Sequence, residues 1–326
     1  MASAEAVLAV IEAAGAHVPG LMDRLETRLA ALATSHGAVL AEHAGATIAA
    51  GGKRLRPLLV LLAAGPPADA DGEERLLRAA AAVELVHSAT LVHDDVLDAA
   101  PLRRGRATVV ATAGREMATA TGDLLFAQAF AELADNGRPA QVRVLSAASS
   151  ALAQGELLQR ADAWNAGVPR ERYLHRCDLK TARLFEAACR LGALQSGGDA
   201  EVLGAFGRRI GLAFQLLDDV LDVSGPAERT GKHRGTDLLD GTVTLPLIVA
   251  RERDGTLGSL DLRAVRTPEE AEAVCDRIAA TGALDEARRR ALTMVAGAKA
   301  DLPACLPRTQ RRALELVADG VVERYA

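Results

Sequence analysis

Apolar residues recur at three- and four-residue intervals along most of the chain, and the breaks come from Pro and Gly rather than from alternation of period two. That spacing puts an apolar stripe on one side of a helix. Helices are predicted over 3–16, 21–50, 54–64, 72–99, 110–135, 139–164, 169–195, 199–223, 243–253, 268–280, 283–299 and 308–325. The interruptions fall at Gly65-Pro66-Pro67, Pro101, Asn136-Gly137, Pro169, Gly197-Gly198 and Gly225-Pro226. None is long enough to link independent units, so one all-α domain over 1–326 is expected.

Composition sharpens this picture. Hydrophobic residues make up 49% of the chain but aromatics only 2%, and 68 alanines supply about a fifth of it, so the core must be aliphatic and the local preference helical. A β architecture is excluded on the same grounds. Cys177, Cys189, Cys275 and Cys305 are dispersed without CxxC spacing, which argues against both a disulfide scaffold and structural zinc. With 38 basic against 43 acidic residues the net charge is −5, so no global positive field draws the chain to nucleic acid. The N-terminal stretch carries Glu5 and Glu12 and no Lys or Arg before Arg24, unlike a secretory signal, and no apolar run approaches a bilayer span. A cytoplasmic location without a transmembrane segment is expected.

Against this background one pattern stands out because it occurs twice. Asp94-Asp95-Val96-Leu97-Asp98 and Asp218-Asp219-Val220-Leu221-Asp222 both read DDVLD. On a helix the first and last Asp of each share a face, where like charges repel. A lone acidic run is usually a solvated face, but here the flanks LVH and AFQLL are mostly apolar, so a solvated face is a poor account. Clustered carboxylates on helices of this kind call for cations between them. Mg2+ takes oxygen ligands, retains waters and is commonly shared between one or two carboxylates and substrate phosphates, so a diphosphate held by Mg2+ is the chemistry indicated.

Lysine usage points the same way, since only four of the 38 basic residues are Lys: Lys53, Lys180, Lys232 and Lys299. Lys53 lies in GGKRLRP, a glycine turn entering a helix, where backbone N–H groups and the cations of Lys53, Arg54 and Arg56 could hold an anion. Lys180-Thr181 interrupts an apolar helical run, and Lys232 lies in a polar loop after the second DDVLD. Arg103 and Arg104 add guanidinium forks suited to phosphate oxygens. His87 precedes Asp94 by seven residues and so shares its helix face.

The motifs GGKRLRP, LVHDDVLDAAPLRRGRATV, Gly122-Asp123, Gly155-Glu156, LKTARLF, AFQLLDDVLD, GKHRGTD and GTVTLP, in this order and spacing, resemble the trans-isoprenyl diphosphate synthases of the polyprenyl synthetase family over most of the chain. The resemblance implies an all-α fold around a deep central cavity, a homodimer, and two aspartate patterns facing each other at the cavity mouth. It further implies three Mg2+ ions ligated by Asp94, Asp98 and Asp218 and supported by Asp95, Asp219 and Asp222, with Asp219 and Asp222 also counted among the metal-site carboxylates. The allylic diphosphate, farnesyl or geranylgeranyl, would be bound by these ions with Arg103, Lys180 and Lys232. Isopentenyl diphosphate would be held by Lys53, Arg56, His87 and Arg104, with Thr181 and Gln215 near the reacting carbons. A loop over 225–241 would close the site.

Two departures and two rivals complete the reading. Thr242 follows Gly241 where many family members carry Lys, which implies weaker allylic binding. Ala89 and Thr90, about a turn before the first pattern, are small where short-chain members are bulky, so a product longer than farnesyl, roughly six to ten isoprene units, is expected unless Phe126 and Phe130 form a deeper floor that limits it to about four or five units. Geranylgeranyl diphosphate synthase is the alternative within the family. A class I terpene cyclase lacks the second DDxxD and the isopentenyl diphosphate pocket, and a non-catalytic subunit of a two-component synthase typically loses the patterns; this chain keeps both.

Overall fold

A computed structural model describes residues 9–10, 12–35, 37–103, 105–225 and 233–323. The fold is all-α, as the periodicity implies, with one short hairpin as the exception among the described residues. The predicted helix 21–50 is two, α1 (His17–Thr34) and α2 (Ala38–Ala49), because Gly37 takes φ 83°, a conformation that L side chains avoid and a helix cannot continue through. Helix α3 (Leu55–Ala64) follows the left-handed Arg54, and α4 (Ala70–Leu97) is capped by Asp69, whose carboxylate accepts the Gly72 N–H at 2.6 Å. At the other end of α4 Ala100 N–H returns to the Asp95 carbonyl at 3.0 Å, while Ala99 sits at φ 49°. This is a Schellman stop with alanine where glycine is favoured.

The hairpin β1 (Leu102–Arg103) and β2 (Arg106–Ala107) was not anticipated from periodicity, since two-residue strands around Gly105 leave no alternating signal. Next come α5 (Val109–Asp135), broken into two helical segments at Gly114, which takes φ 82°, and α6 (Pro139–Asp162), with Pro139 in its first turn, where the missing N–H costs no bond. The predicted run 169–195 is α7 (Arg170–Cys177), a π-helical turn over Asp178–Ala182, and α8 (Arg183–Ser196). Helix α9 (Ala200–Ser224) is capped by Asp199. The chain ends through α10 (Thr236–Leu239), α11 (Leu245–Arg253), α12 (Gly255–Gly258), α13 (Pro268–Ala280) with a Thr267/Glu270 capping box, α14 (Ala283–Ala300) and α15 (Arg308–Glu323).

Helix α8 is the hub, packed on α3, α4, α6 and α9. Leu184, Phe185, Ala188, Cys189 and Leu191 are buried there, within one apolar cluster that runs from Val10 to Val321. Small residues let the helices close in. A Cβ on Gly192 of α8 would lie 2.2 Å from the Val60 carbonyl oxygen of α3, and one on Gly207 of α9 2.4 Å from the Phe185 carbonyl oxygen. The π turn is gripped on both sides in the same way: a Cβ on Gly155 of α6 would stand 2.5 Å from the Lys180 backbone nitrogen, and one on Gly211 of α9 2.8 Å from Ala182 Cα.

Substitutions at two backbone positions are expected to act in opposite directions. Gly155→Ala forces α6 away from the π turn and lowers stability by about 1–3 kcal/mol, the usual cost of overpacking. Ala99→Gly relieves a left-handed alanine and raises stability by about 1 kcal/mol. Chemical denaturation of the two variants checks both; equal midpoints would contradict the close approach at Gly155 and the strain at Ala99.

Candidate active site

The π turn carries Lys180 and Thr181 between the two aspartate helices. On one side the Lys180 ammonium donates to Glu156 of α6, and its charge also acts on Asp94 of α4. On the other side Thr181 Oγ1 donates to Gln215 Oε1 at 2.6 Å, and Gln215 Nε2 donates to Asp219 Oδ1 at 2.8 Å. A chain of short-range interactions thus runs from the first DDVLD to the second, through residues whose types the sequence singles out. A π turn suits this task, because its extra residue interrupts the helical ladder and re-aims the side chains after it.

The first pattern is matched against cations one residue at a time. Buried Asp95 accepts from Arg103 Nε at 2.7 Å, and Asp98, half-exposed at the end of α4, accepts from Arg160 Nη2 at 2.5 Å. Arg160 also donates through Nε to Glu156 at 2.7 Å. Asp94 is pushed up to about 6, first by burial and then by Glu156 and Asp98, against the pull of Lys180 and Arg103. Glu156 is held below the ordinary carboxylate range by Lys180 and Arg160, which outweigh its burial.

The second pattern divides by exposure. Asp218 is exposed, Asp222 half-buried and Asp219 buried. Both Asp219 oxygens are taken by protein donors, Oδ1 by Gln215 and Oδ2 by the Tyr173 hydroxyl at 2.5 Å. Burial drives its carboxyl upward despite these bonds, with Asp218 adding repulsion and Arg176 opposing it. Asp237 of α10 joins the cluster: its backbone N–H donates to Asp222 Oδ2 at 3.3 Å, and its carboxyl is raised by burial and by Asp222, Asp219 and Asp218. Glu156 and Asp237 fall in the motifs Gly155-Glu156 and GKHRGTD without a role of their own, and Tyr173, Arg176 and Arg160 carry no motif. Only the Glu156–Arg160 spacing of four gave a local signal for a pair; the others are brought in by tertiary packing.

The remaining predicted residues distribute unevenly. Half-buried His87 lines a cavity of about 150 Å3 with Gly51, Asp95, Arg103 and Arg106, at the entrance formed by the glycine turn and the hairpin. Lys53, in the glycine turn, is exposed, and Arg56 lies with its guanidinium 4.7 Å above the Phe185 ring; neither lines that cavity. Arg54, left-handed at φ 47°, is buried and lines the same cavity, its guanidinium bonded to Glu26 at 2.6 Å, to Glu84 at 2.7 Å and to the Ile48 carbonyl at 2.9 Å. Arg104 and Lys232 lie outside the described residues, as does 226–232 of the 225–241 loop. Ala89 is fully buried, Thr90 Oγ1 donates to the His87 carbonyl at 2.8 Å, and Phe126 packs 5.7 Å from the His93 ring. His93 in turn fills the space that a Cβ on Gly122 would need, which accounts for the Gly122-Asp123 pair.

Among the described residues no three acidic, His or Cys side chains are drawn into a closed metal cage. The candidate donors are carboxylates, exposed at Asp98 and Asp218 and half-buried at Asp94 and Asp222, a set that fits a hard divalent ion completed by phosphate oxygens and water better than an all-protein site. The sign of the pH dependence follows. Raised carboxyls bind protons more tightly in the folded chain, so their contribution to stability is present below pH 4 and is lost as pH rises through about 6 for Asp94 and higher for Asp219. Thermal melts without metal are expected to lose this contribution between pH 5 and pH 8, and added Mg2+ is expected to raise the midpoint more at pH 8 than at pH 5; an equal Mg2+ effect at both would count against these carboxylates as its ligands.

Residues 38–280 match the family model described as polyprenyl synthetase. The chain is 43% identical over 217 residues to heptaprenyl diphosphate synthase component 2 of Geobacillus stearothermophilus, covering 65% of this chain and 66% of that protein. It is 36% identical over 283 residues to geranylgeranyl diphosphate synthase of Methanosarcina mazei, covering 84% and 86%. The crystal structure of a polyprenyl synthase from Caulobacter crescentus, complexed with calcium and isoprenyl diphosphate, superposes with a TM-score of 0.89 at 35% identity over 97% of this chain and 98% of that one. Sharing both the sequence motifs and the fold along nearly its whole length, the chain belongs to the polyprenyl synthetase family of prenyltransferases.

Proposed function

We propose that this chain is a single-domain trans-polyprenyl diphosphate synthase that joins isopentenyl diphosphate head to tail to an allylic diphosphate and makes a product longer than farnesyl. The observation that carries this reading is the link from Asp98 through Arg160, Glu156 and Lys180 to Thr181, Gln215 and Asp219, which ties both aspartate patterns to one site. The full set of Lys53, Arg56 and His87 near the glycine turn supports a second diphosphate and disfavours a terpene cyclase.

In this reading Asp94, Asp98, Asp218 and Asp222 present carboxylate oxygens to Mg2+, while Asp95 and Asp219, whose oxygens are engaged by Arg103, Tyr173 and Gln215, fix the helix ends that carry them. Mg2+, as three ions, supplies the charge that stabilises diphosphate as it leaves. Arg103, Lys180 and Lys232 bind the allylic diphosphate oxygens, so the C1–O bond breaks with its electron pair going to diphosphate and an allylic cation forms. The isopentenyl double bond then attacks this cation, and a proton passes to the released diphosphate, closing the balance. Aliphatic walls exclude water from the cation. Thr242 in place of a lysine leaves one fewer cation for the allylic diphosphate.

Small Ala89 and Thr90 support a long cavity, whereas Phe126 beside His93, one residue before Asp94, supports a nearer floor and a geranylgeranyl-sized or slightly longer product. An exposed stripe of Ala120, Ala127 and Ala131 on α5 with Ala153 and Leu157 on α6, the last 70% exposed, supports the implied homodimer. Among the described residues no helix is long and apolar enough to cross a membrane, and a cytoplasmic enzyme is proposed. A relative bearing the name component 2 leaves a catalytic subunit that needs a partner as the second reading.

Incubating the purified chain alone with Mg2+, labelled isopentenyl diphosphate and farnesyl or geranylgeranyl diphosphate is expected to give a ladder of linear products ending at one length. No extension with either primer, or release of a cyclic hydrocarbon, would overturn the reading in favour of a partner-dependent subunit or a cyclase. In the same assay Ala89→Phe is expected to shorten the final product, and an unchanged distribution would remove Ala89 from the cavity wall.

A further inference from the structure

Arg160 is only a link in the reading above, yet it makes a two-point contact across the site. Its Nη2 reaches Asp98 Oδ1 on α4 at 2.5 Å and its Nε reaches Glu156 Oε1 one turn back on α6 at 2.7 Å. Glu156 in turn accepts from Lys180. Two carboxylates of the first DDVLD are thus paired with protein cations, Asp95 with Arg103 and Asp98 with Arg160.

These contacts differ in how easily they can be exchanged. Asp95 is buried and its Arg103 partner is half-buried, whereas Arg160 and Asp98 are 41% and 45% exposed, in a solvent-screened setting where an ion pair holds weakly. Asp98 also stands at the helix end, its backbone fixed by the Schellman stop while its side chain reaches into solvent. An oxygen that accepts from a guanidinium is blocked for a metal ion on the same lone pairs, and a metal on the other oxygen would sit within a few ångströms of a like charge. Nε, held by Glu156, lets the guanidinium leave Asp98 without leaving the site.

We propose that Arg160 is a positioning residue that stands in for metal at Asp98 and competes with Mg2+ for that carboxylate, so that it sets the Mg2+ concentration at which the first aspartate pattern fills. The proposal rests on the synthase reading above. Thermal shift with Mg2+ alone as the probe reads the competition without turnover. Arg160→Gln is expected to lower the half-saturating Mg2+ concentration about three- to tenfold, the order expected for removing one screened cation beside a divalent ion, and Arg160→Lys is expected to stay near the unmodified chain. Steady-state kinetics on the same proteins should show the lower Mg2+ requirement with the allylic KM at saturating Mg2+ unchanged. Unchanged or weaker Mg2+ affinity in Arg160→Gln would overturn the proposal, as would an unaltered Mg2+ response with a raised allylic KM, which would make Arg160 a diphosphate ligand instead. An unmodified chain that extends no primer yet shows the predicted Mg2+ shifts would sink the synthase reading while leaving the competition at Asp98 in place.

Discussion

The site depends on a close approach that only glycine permits. Gly155 and Gly211 let α6 and α9 come against the backbone of the π turn, and the residue next to Gly155 is Glu156, whose carboxylate meets Lys180. Once that turn is clamped, Lys180 is aimed at the first aspartate pattern and Thr181 at Gln215 and the second. A methyl group at either glycine would separate the helices by more than a hydrogen bond tolerates. The charge arrangement is thus a consequence of backbone packing, and the small-residue composition that makes the core aliphatic also makes the site possible.

Electrostatics then sets what this geometry can bind. Carboxylates concentrated where helices pack are costly without opposite charge. The chain meets part of that cost internally, through Arg103, Arg160 and Lys180, and part by leaving carboxyls such as Asp94, Asp219 and Asp237 with a raised affinity for protons. Protons and guanidinium groups already occupy these oxygens, and in the proposed reading a metal–diphosphate complex would exchange them, the anion giving the released cations a new partner while the metal takes their place on the carboxylates.

Much of this was legible in the sequence because helices and their charged faces are local patterns. The second DDVLD and Gln215 lie within one helix and the first DDVLD at the end of another, as periodicity implies, whereas the π turn under Lys180-Thr181 leaves no periodic signal. Arg54 is harder to read: GGKRLRP suggests an anion site, whereas in the structure its guanidinium also pairs with Glu26 and Glu84, 28 and 30 residues away, which no local pattern announces. The break at Gly37 and the hairpin around Gly105 depend on a single positive φ each. Tyr173, Arg176 and Asp237 escaped for a related reason, since each contributes one polar group to a cluster assembled from separate elements.

The scarcity of aromatic residues carries one more consequence. Away from the site the helices close on Ala, Leu and Val, which need no particular orientation to pack. Several of the few aromatic rings are found beside functional groups instead: Phe185 under Arg56 and against Phe214, Phe126 against His93, Tyr173 on Asp219, and Trp164 filling the space over Gly241. Planar side chains have few rotamers and definite hydrogen-bonding or cation-facing edges, so they fix direction where aliphatic packing fixes only distance. In a chain this poor in them, their positions mark where orientation matters, and they mark the same region that the carboxylates and cations define by charge.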